Sequence, residues 1–212
     1  MKAPISPARL TLTDIELDAL TELVNIGVSR AANALRELVG EQVLLSVPAL
    51  RILVRAQAAS FIEASEGAHL IAVRQVFEGD FSGSALLIFP ERNSLELVRA
   101  VTRDELTLDD IVELEQEALA EVGNILLNSC VATIANLLER NLAMSLPEIL
   151  RGDSSALLSM VPVGQDDSVL FVHINFTLKG REISGFVAIV MDFLSLGALQ
   201  ALISGFIQRS AG

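Results

Sequence analysis

Two short sets of polar residues in this chain could take part in chemistry, because each set combines carboxylates with a carboxamide. In both sets an acid is followed by a glutamate four residues later and by an asparagine three residues after that. A helix of 3.6 residues per turn brings such positions onto one face. The residues are Asp18, Glu22 and Asn25 in the first set, and Glu117, Glu121 and Asn124 in the second.

A carboxamide has no useful basicity, so neither Asn25 nor Asn124 could remove a proton by itself. It can accept and donate hydrogen bonds and so orient a water molecule, as a glutamine does in GTP hydrolysis. Glu22 or Glu121, one helical turn earlier, could pair with a cation on a partner. Positioning the water and the partner would then be the protein's whole contribution to the reaction. It suffices only if the substrate is already labile and brings its own metal.

Other kinds of active site are not indicated by the sequence. It contains no glycine-rich phosphate loop, no Cys/His metal spacing and no serine nucleophile elbow. The single cysteine, Cys130, lies in an apolar segment and is predicted to be a small buried thiol. His69 and His173 are expected at ordinary strand positions. We therefore expect the chain itself to bind no metal and no cofactor.

The two polar sets belong to a longer internal repeat. Asn25 precedes Pro48 by the same spacing with which Asn124 precedes Pro147, and a shift of 99 residues relates the two halves. The residues that superpose are Glu16, Ala19, Leu20, Glu22, Asn25, Ile26, Leu38, Ser46 and Pro48 on Glu115, Ala118, Leu119, Glu121, Asn124, Ile125, Leu137, Ser145 and Pro147. The sequence predicts a duplicated domain.

Local signals place each polar set on a long helix. Thr13 and Glu16 have the spacing of a capping box, which predicts a helix from there to about Val39, with Gly40 as its stop and the apolar residues from Ile15 to Leu38 facing inward. Other helices are predicted at 91–101, from a cap at 107–110 to about 140, and after Asp192. Strands are predicted at 42–56, 69–77, 81–89, 143–146, 156–162, 168–178 and 182–191. Pro48 is expected at an edge, bulge or turn.

These elements predict an α+β fold. We expect one duplicated, pseudo-twofold domain over residues 1–212, with repeat halves at about 13–102 and 107–208. An antiparallel β-sheet would be covered by the two long motif-bearing helices, with two shorter helices besides. The only linker-like pieces are short: the amino terminus and residues 64–67, 103–107 and 164–167.

Composition restricts the partners. The formal charge is −12, and no cluster of Lys or Arg offers the surface needed to bind a nucleic acid or an anionic membrane. The segment 183–207 is apolar but contains Asp192, and a buried strand followed by a buried helix is the simpler interpretation. Met1 to Leu10 do not resemble a signal peptide. A reducing cytoplasm is the expected location.

The two motifs, with Pro48 and Pro147 closing them, resemble the paired active-site motifs of the CheC family. That family also includes CheX and the FliY switch proteins, and it dephosphorylates the aspartyl phosphate of the chemotaxis response regulator CheY. The likeness covers nearly the whole chain, in length, duplication and strand order. It implies a protein aspartyl-phosphate phosphatase whose partner is a phosphorylated CheY-type regulator.

The resemblance also implies roles for the motif residues. Asn25 and Asn124 would each align a water with the phosphorus, and Glu22 and Glu121 would contact the regulator's active-site lysine. The regulator would supply Mg²⁺. The remaining motif residues would support the helix face or mark the turn after each helix; they are Asp18, Glu117, Pro48 and Pro147. The family's leading position is usually Asp or Ser, and Glu117 is one methylene longer than Asp.

Two alternatives belong to other functional classes. One is a catalytically weak adaptor that binds a response regulator or a CheD-like deamidase. The other is a flagellar-switch component of the FliY or FliM kind, which we expect less because no switch domain follows residue 212. The lifetime of the regulator's phosphoaspartate, with and without this protein, separates a phosphatase from an adaptor. The sequence leaves open which of the two motifs dominates.

Overall fold

A computed structural model describes residues 12–40, 42–101, 108–161, 168–178 and 181–210. The helices are α1 (Asp14–Val39), α2 (Arg55–Glu66), α3 (Ser94–Val101), α4 (Leu108–Leu137), α5 (Ser154–Ser159) and α6 (Phe193–Ser210), with a 3-10 turn at Glu91–Asn93. The strands are β1 (Val43–Val54), β2 (Leu70–Gly79), β3 (Gly83–Pro90), β4 (Leu142–Met144), β5 (Glu148–Gly152), β6 (Ser168–Leu178) and β7 (Arg181–Met191).

The strands form one antiparallel sheet between two helical layers. Their order is β1-β6-β7-β3-β2-β4, and β5 also pairs with β2. Apolar residues of α1, α3, α4 and α6 pack on one face, while α2 and α5 cover the other. Side chains of successive strand residues alternate between the faces, so Ile71, Val73 and Phe77 lie under the motif-bearing helices and Leu70 and Ala72 lie under α2 and α5. The predicted α+β class with an antiparallel sheet is confirmed.

The strand pairing has the same register in the two halves of the sheet. Leu44 pairs with Thr177, and 99 residues later Ala143 pairs with Glu78. At the centre, β3 pairs with β7. The duplication itself remains a prediction, and it would account for this correspondence.

The start of α1 is fixed as the sequence predicts. Thr13 caps the helix in a reciprocal capping box with Glu16, and Gly40 ends it with a left-handed φ of 76°. Ile15, expected to face inward, is instead 66% exposed. Position 15 lies in the first turn of α1, and the buried apolar residues of this helix begin at Leu20.

Several elements and boundaries differ from the prediction, and strand β5 (Glu148–Gly152) was not predicted. Segment 156–162 was predicted as a strand, but α5 occupies Ser154–Ser159, because Asp153 caps it and Leu157 and Leu158 bury on the sheet. Helix α2 was missed, and residues 64–66, interpreted as linker, belong to it. The shorter helices are therefore four among the described residues, not two. Helix α4 was predicted to end near residue 140 and ends at Leu137. The predicted cap at 107–110 begins at a residue outside the described ranges.

Apolar stretches long enough to suggest a membrane segment are accounted for by the core. Segment 183–207 forms part of β7 and of α6, with Asp192 capping α6 through the Ser195 backbone N–H at 2.6 Å. Within the described residues, one helical stretch, Leu114–Leu137, is long and apolar enough to cross a membrane, and 61% of its window is buried in this fold. A helix packed on a sheet has that composition.

Glu16 also ties α1 to the last helix of the chain. Its carboxylate accepts hydrogen bonds from the Ser204 hydroxyl, the Thr13 backbone N–H and the Gln200 amide. The bond from Ser204, followed by those from Thr13 and Gln200, outweighs burial and lowers the pKa of Glu16 to about 2. The charged form is therefore favoured in the folded state.

This contact predicts a pH-dependent contribution to stability. Because the folded pKa lies below the ordinary value of 4.5, the contribution is complete above pH 4.5 and is lost as the pH falls toward about 2. Glu16→Gln should lower the free energy of unfolding at neutral pH, and the gap to the unsubstituted protein should close across that window. Denaturant unfolding at a series of pH values measures it, with the exposed Glu63→Gln as control. A gap independent of pH would contradict the assignment.

Two glycines let the motif-bearing helices approach their neighbours. A Cβ on Gly27 of α1 would lie 2.9 Å from Cα of Cys130 in α4, and a Cβ on Gly123 would lie 2.4 Å from Cγ1 of Val73 in β2. Each of these contacts is made within the fold. Internal packing explains both.

Gly27→Ala should therefore lower the free energy of unfolding by about 1–3 kcal/mol, because backbone atoms of α4 cannot move aside as a flexible side chain would. Gly205→Ala in α6 is the matched control. Its Cβ would meet only the Arg209 guanidinium at 3.6 Å, so it should gain up to about 1 kcal/mol from helix propensity. Equal effects in denaturant unfolding would rule out the proposed clash.

Candidate functional site

The first polar set lies on the outer face of α1. Asp18 and Glu22 are exposed, and Asn25 is half-buried one turn further along. Among the described residues, the Asn25 side chain has no hydrogen-bond partner. Both ends of its carboxamide are therefore available to a water molecule or to a partner.

The second set lies on α4, and its asparagine is held differently. Glu117 and Glu121 are exposed and Asn124 is half-buried. Oδ1 of Asn124 accepts two hydrogen bonds, from Nε2 of Gln75 at 3.1 Å and from Nδ2 of Asn128 at 2.6 Å. Its Nδ2 has no acceptor among the described residues, so the donor end of the amide is the end left free.

The carboxylates in the two sets differ from two other acids on the same helices, Glu16 and Glu115. Glu16 is bound by α6, and Glu115 accepts hydrogen bonds from Ser94 and from Arg151. In the described part of the chain, no ion pair engages the four exposed motif acids. They are Asp18, Glu22, Glu117 and Glu121. Each helix thus presents negative charge that is not neutralised within the fold, which suits a cationic group on a partner.

Both prolines interrupt the strand that follows a motif-bearing helix. Pro48 lies in β1, where the register shifts between Ser46 and Ala49, and Pro147 lies between β4 and β5. The expectation that Pro48 lies at an edge, bulge or turn is confirmed, because β1 is an edge strand and its register shifts at Pro48. The family resemblance implied that the prolines mark the turn after each helix, but Pro48 lies further on, within β1, and Pro147 lies after β4, at positions where a missing backbone donor is tolerated.

Two residues of the second site were not identified from the sequence. Gln75 is 1% exposed on β2, in a strand whose buried neighbours are apolar, and a polar residue in such a run was the available signal. No role was predicted for Asn128, which is half-buried and donates a hydrogen bond to Asn124. Ser29, at the matching position of α1, is exposed.

Cys130 is a buried free thiol, as predicted, and burial raises its pKa to about 12. Such a thiol is protonated and unreactive at neutral pH. Within the described ranges, no group of three or more His, Cys, Asp or Glu side chains is arranged to hold a metal ion.

Comparison with known proteins finds similarity to a family model and to curated proteins. Residues 15–52 match the model of the CheC-like family, and this range contains the whole first motif from Asp18 to Pro48. "CheY-P phosphatase CheC" of Bacillus subtilis is 27% identical over 150 residues, which is 68% of this chain and 70% of that protein. "Putative CheY-P phosphatase CheC1" of Halobacterium salinarum is 25% identical over 157 residues, 70% of this chain and 76% of that protein.

Solved structures share the fold. The crystal structure of FliY from Thermotoga maritima matches with a TM-score of 0.74 at 18% identity, over 93% of this chain and all of that one. CheX from Desulfovibrio desulfuricans matches with a TM-score of 0.51 at 14% identity, over 79% of this chain and 99% of that one. The FliM middle domain from H. pylori matches with a TM-score of 0.59 at 14% identity, over 90% of this chain and 99% of that one. The predicted resemblance to the CheC family is confirmed.

Proposed function

Since this chain is related to CheC-type proteins in sequence and in fold, we propose that it is a phosphatase acting on the aspartyl phosphate of a CheY-type response regulator. The observation that carries the proposal is that each of two long helices presents an exposed glutamate and, one turn later, a partly accessible asparagine. The names of the two curated relatives support the same substrate.

The chemistry fits a site without a strong base. An aspartyl phosphate is an acyl phosphate and is already labile, so a phosphatase needs chiefly to place a water in line with the phosphorus. Water oxygen forms the new bond to phosphorus as the bond to the aspartyl oxygen breaks. Inorganic phosphate leaves, the aspartate carboxylate is restored, and the water's proton passes to phosphate or solvent. Mg²⁺, if needed, would come with the regulator.

Asn25 and Asn124 would align that water. Each projects from the middle of a helix of 26 or 30 residues, so its backbone is held by hydrogen bonds on both sides. A water hydrogen-bonded to a fixed carboxamide loses fewer orientations in reaching the phosphorus. The asparagine then supplies geometry, while the substrate supplies the reactive bond.

Glu22 and Glu121 would dock the regulator by pairing with a lysine in its active site. Both are exposed, and neither forms an ion pair with another described residue, so they are ready for this contact. Asp18 and Glu117, one turn earlier, would add negative charge to the same contact. Pro48 and Pro147 would support the strands beneath and would take no part in the chemistry.

The test is the lifetime of the phosphoaspartate on a purified CheY-type regulator, measured with and without this protein. The proposal predicts faster release of phosphate at substoichiometric amounts of the protein, since a catalyst turns over. If the phosphoaspartate lifetime is unchanged and the protein still forms a stable complex with the regulator, the protein is an adaptor and not a phosphatase. A CheD-like deamidase would then be the next partner to test. We expect the reaction in the reducing cytoplasm, where an unpaired thiol such as Cys130 persists.

A further inference from the structure

Gln75 has a geometry that core packing does not explain. It lies on the β2 face beneath α4 and is 1% exposed. Its Nε2 donates to Oδ1 of Asn124 at 3.1 Å and to the Ser145 carbonyl at 2.8 Å, while its Oε1 is buried with no hydrogen-bond partner among the described residues. An unpaired buried acceptor lowers stability. An apolar side chain would therefore serve the core better at this position.

The other half of the chain carries such an apolar side chain. The position 99 residues after Gln75 is Ile174 on β6, which is fully buried in the same core layer. The same shift relates Asn124 to Asn25, and the Asn25 side chain has no hydrogen-bond partner among the described residues. Among the described residues, a polar side chain of the sheet therefore bonds Asn124, and none bonds Asn25.

We infer that Gln75 is a positioning residue that fixes the Asn124 carboxamide for catalysis at the second site. This inference rests on the proposed phosphatase function. Because Oδ1 of Asn124 accepts bonds from both Gln75 and Asn128, its N–H groups are directed to the attacking water. The water accepts a hydrogen bond through one lone pair and attacks phosphorus with the other. Asn25 can use either end of its amide, so the two sites align water in different ways.

The test isolates the second site by placing Gln75→Ile in an Asn25→Ala background. This substitution copies the residue that the chain itself carries at position 174. We expect kcat for regulator dephosphorylation to fall about tenfold, as loss of one orienting hydrogen bond would give. KM for the regulator should stay within about twofold, because Glu121 still docks the partner. A role confined to folding would not separate kcat from KM in this way.

The control places the same Gln75→Ile in an Asn124→Ala background, where only the first site acts. Activity there should equal that of Asn124→Ala alone. Equal losses in both backgrounds would overturn the positioning role and indicate a general structural defect. An unchanged kcat after Gln75→Ile is added to the Asn25→Ala background would also overturn the positioning role.

A second readout does not depend on any phosphatase activity. The side-chain amide signals of Asn124 and Asn25 in a 15N–1H spectrum are assigned by their loss in the alanine variants. Gln75→Ile should shift the Asn124 signals and leave those of Asn25 in place; unchanged Asn124 signals would refute the contact. If Gln75→Ile does not fold, Gln75→Met, which keeps the length and removes the donor, takes its place. The unsubstituted protein could prove to have no phosphatase activity while Gln75→Ile still shifts the Asn124 signals. That result would contradict the proposed phosphatase function and would leave the contact between Gln75 and Asn124 supported.

Discussion

The double variant Asn25→Ala with Asn124→Ala should leave the regulator to lose its phosphate at its own rate. If both asparagines align the attacking water, their removal abolishes the orientation that this protein contributes, a loss on the order of 10²-fold for a displaced reacting group. Alanine cannot hydrogen-bond a water. It is also a better helix former than asparagine, so both helices should persist.

The measurement is phosphate release from a phosphorylated CheY-type regulator at fixed concentrations of both proteins. Ser29→Ala is the matched control, since Ser29 is exposed on the same face of α1 one turn beyond Asn25. It should keep full activity. Thermal unfolding checks that the double variant is folded, and full activity in a folded double variant would refute the role of the asparagines.

The single variants then divide the activity between the two helices. Asn25→Ala leaves only the site anchored by Gln75, and Asn124→Ala leaves only the site whose amide is unconstrained. Their rates should sum to that of the unsubstituted protein if the two sites work independently. A single variant as inactive as the double would show that one site does all the work.

Reversing the charge of both motif glutamates, with Glu22→Lys and Glu121→Lys, should weaken binding of the regulator by about tenfold or more. Each substitution replaces an attraction to the regulator's lysine by a repulsion, and like charges juxtaposed at an interface cost more than an exposed pair gains. The weakening should be largest at low ionic strength, because salt screens contacts between exposed charges.

Titration with regulator carrying a stable phosphoryl mimic measures this affinity directly, without turnover. Glu63→Lys is the matched control, because it makes the same charge change on exposed α2, across the sheet from α1 and α4. It should bind as the unsubstituted protein does. If Glu63→Lys weakens binding as much as Glu22→Lys and Glu121→Lys do, net charge and not a docking contact would explain the loss.

Much of the site's local placement could be predicted from residue spacing. The interval from Asp18 to Glu22 to Asn25 predicts one helical face, and all three residues lie on the accessible side of α1. The capping box at Thr13 fixed the helix start, because it depends only on residues within one turn. The missing backbone donor of Pro48 predicted an edge, bulge or turn, and the structure has a register shift there.

Short apolar segments were harder to assign. The segment 156–162 has the composition of a buried strand or of a buried helix, and periodicity does not distinguish them at that length. The cap at Asp153, which the sequence contained, decides for α5. Helix α2 was missed because its burial against the sheet is limited to a few residues, Ala58, Ala59 and Ile62.

The sequence by itself determined which side chains share a helix face and which chemistry they could perform, because helical period and capping act between residues a few positions apart. Only the tertiary structure decided the state of each carboxamide. Gln75 reaches Asn124 across 49 residues and Ser145 across 70. Contacts at such separation depend on how β2 and β4 pack beneath α4, and no local pattern encodes that packing. Two motifs that match in sequence are therefore held differently, one with a free amide and one with an anchored amide.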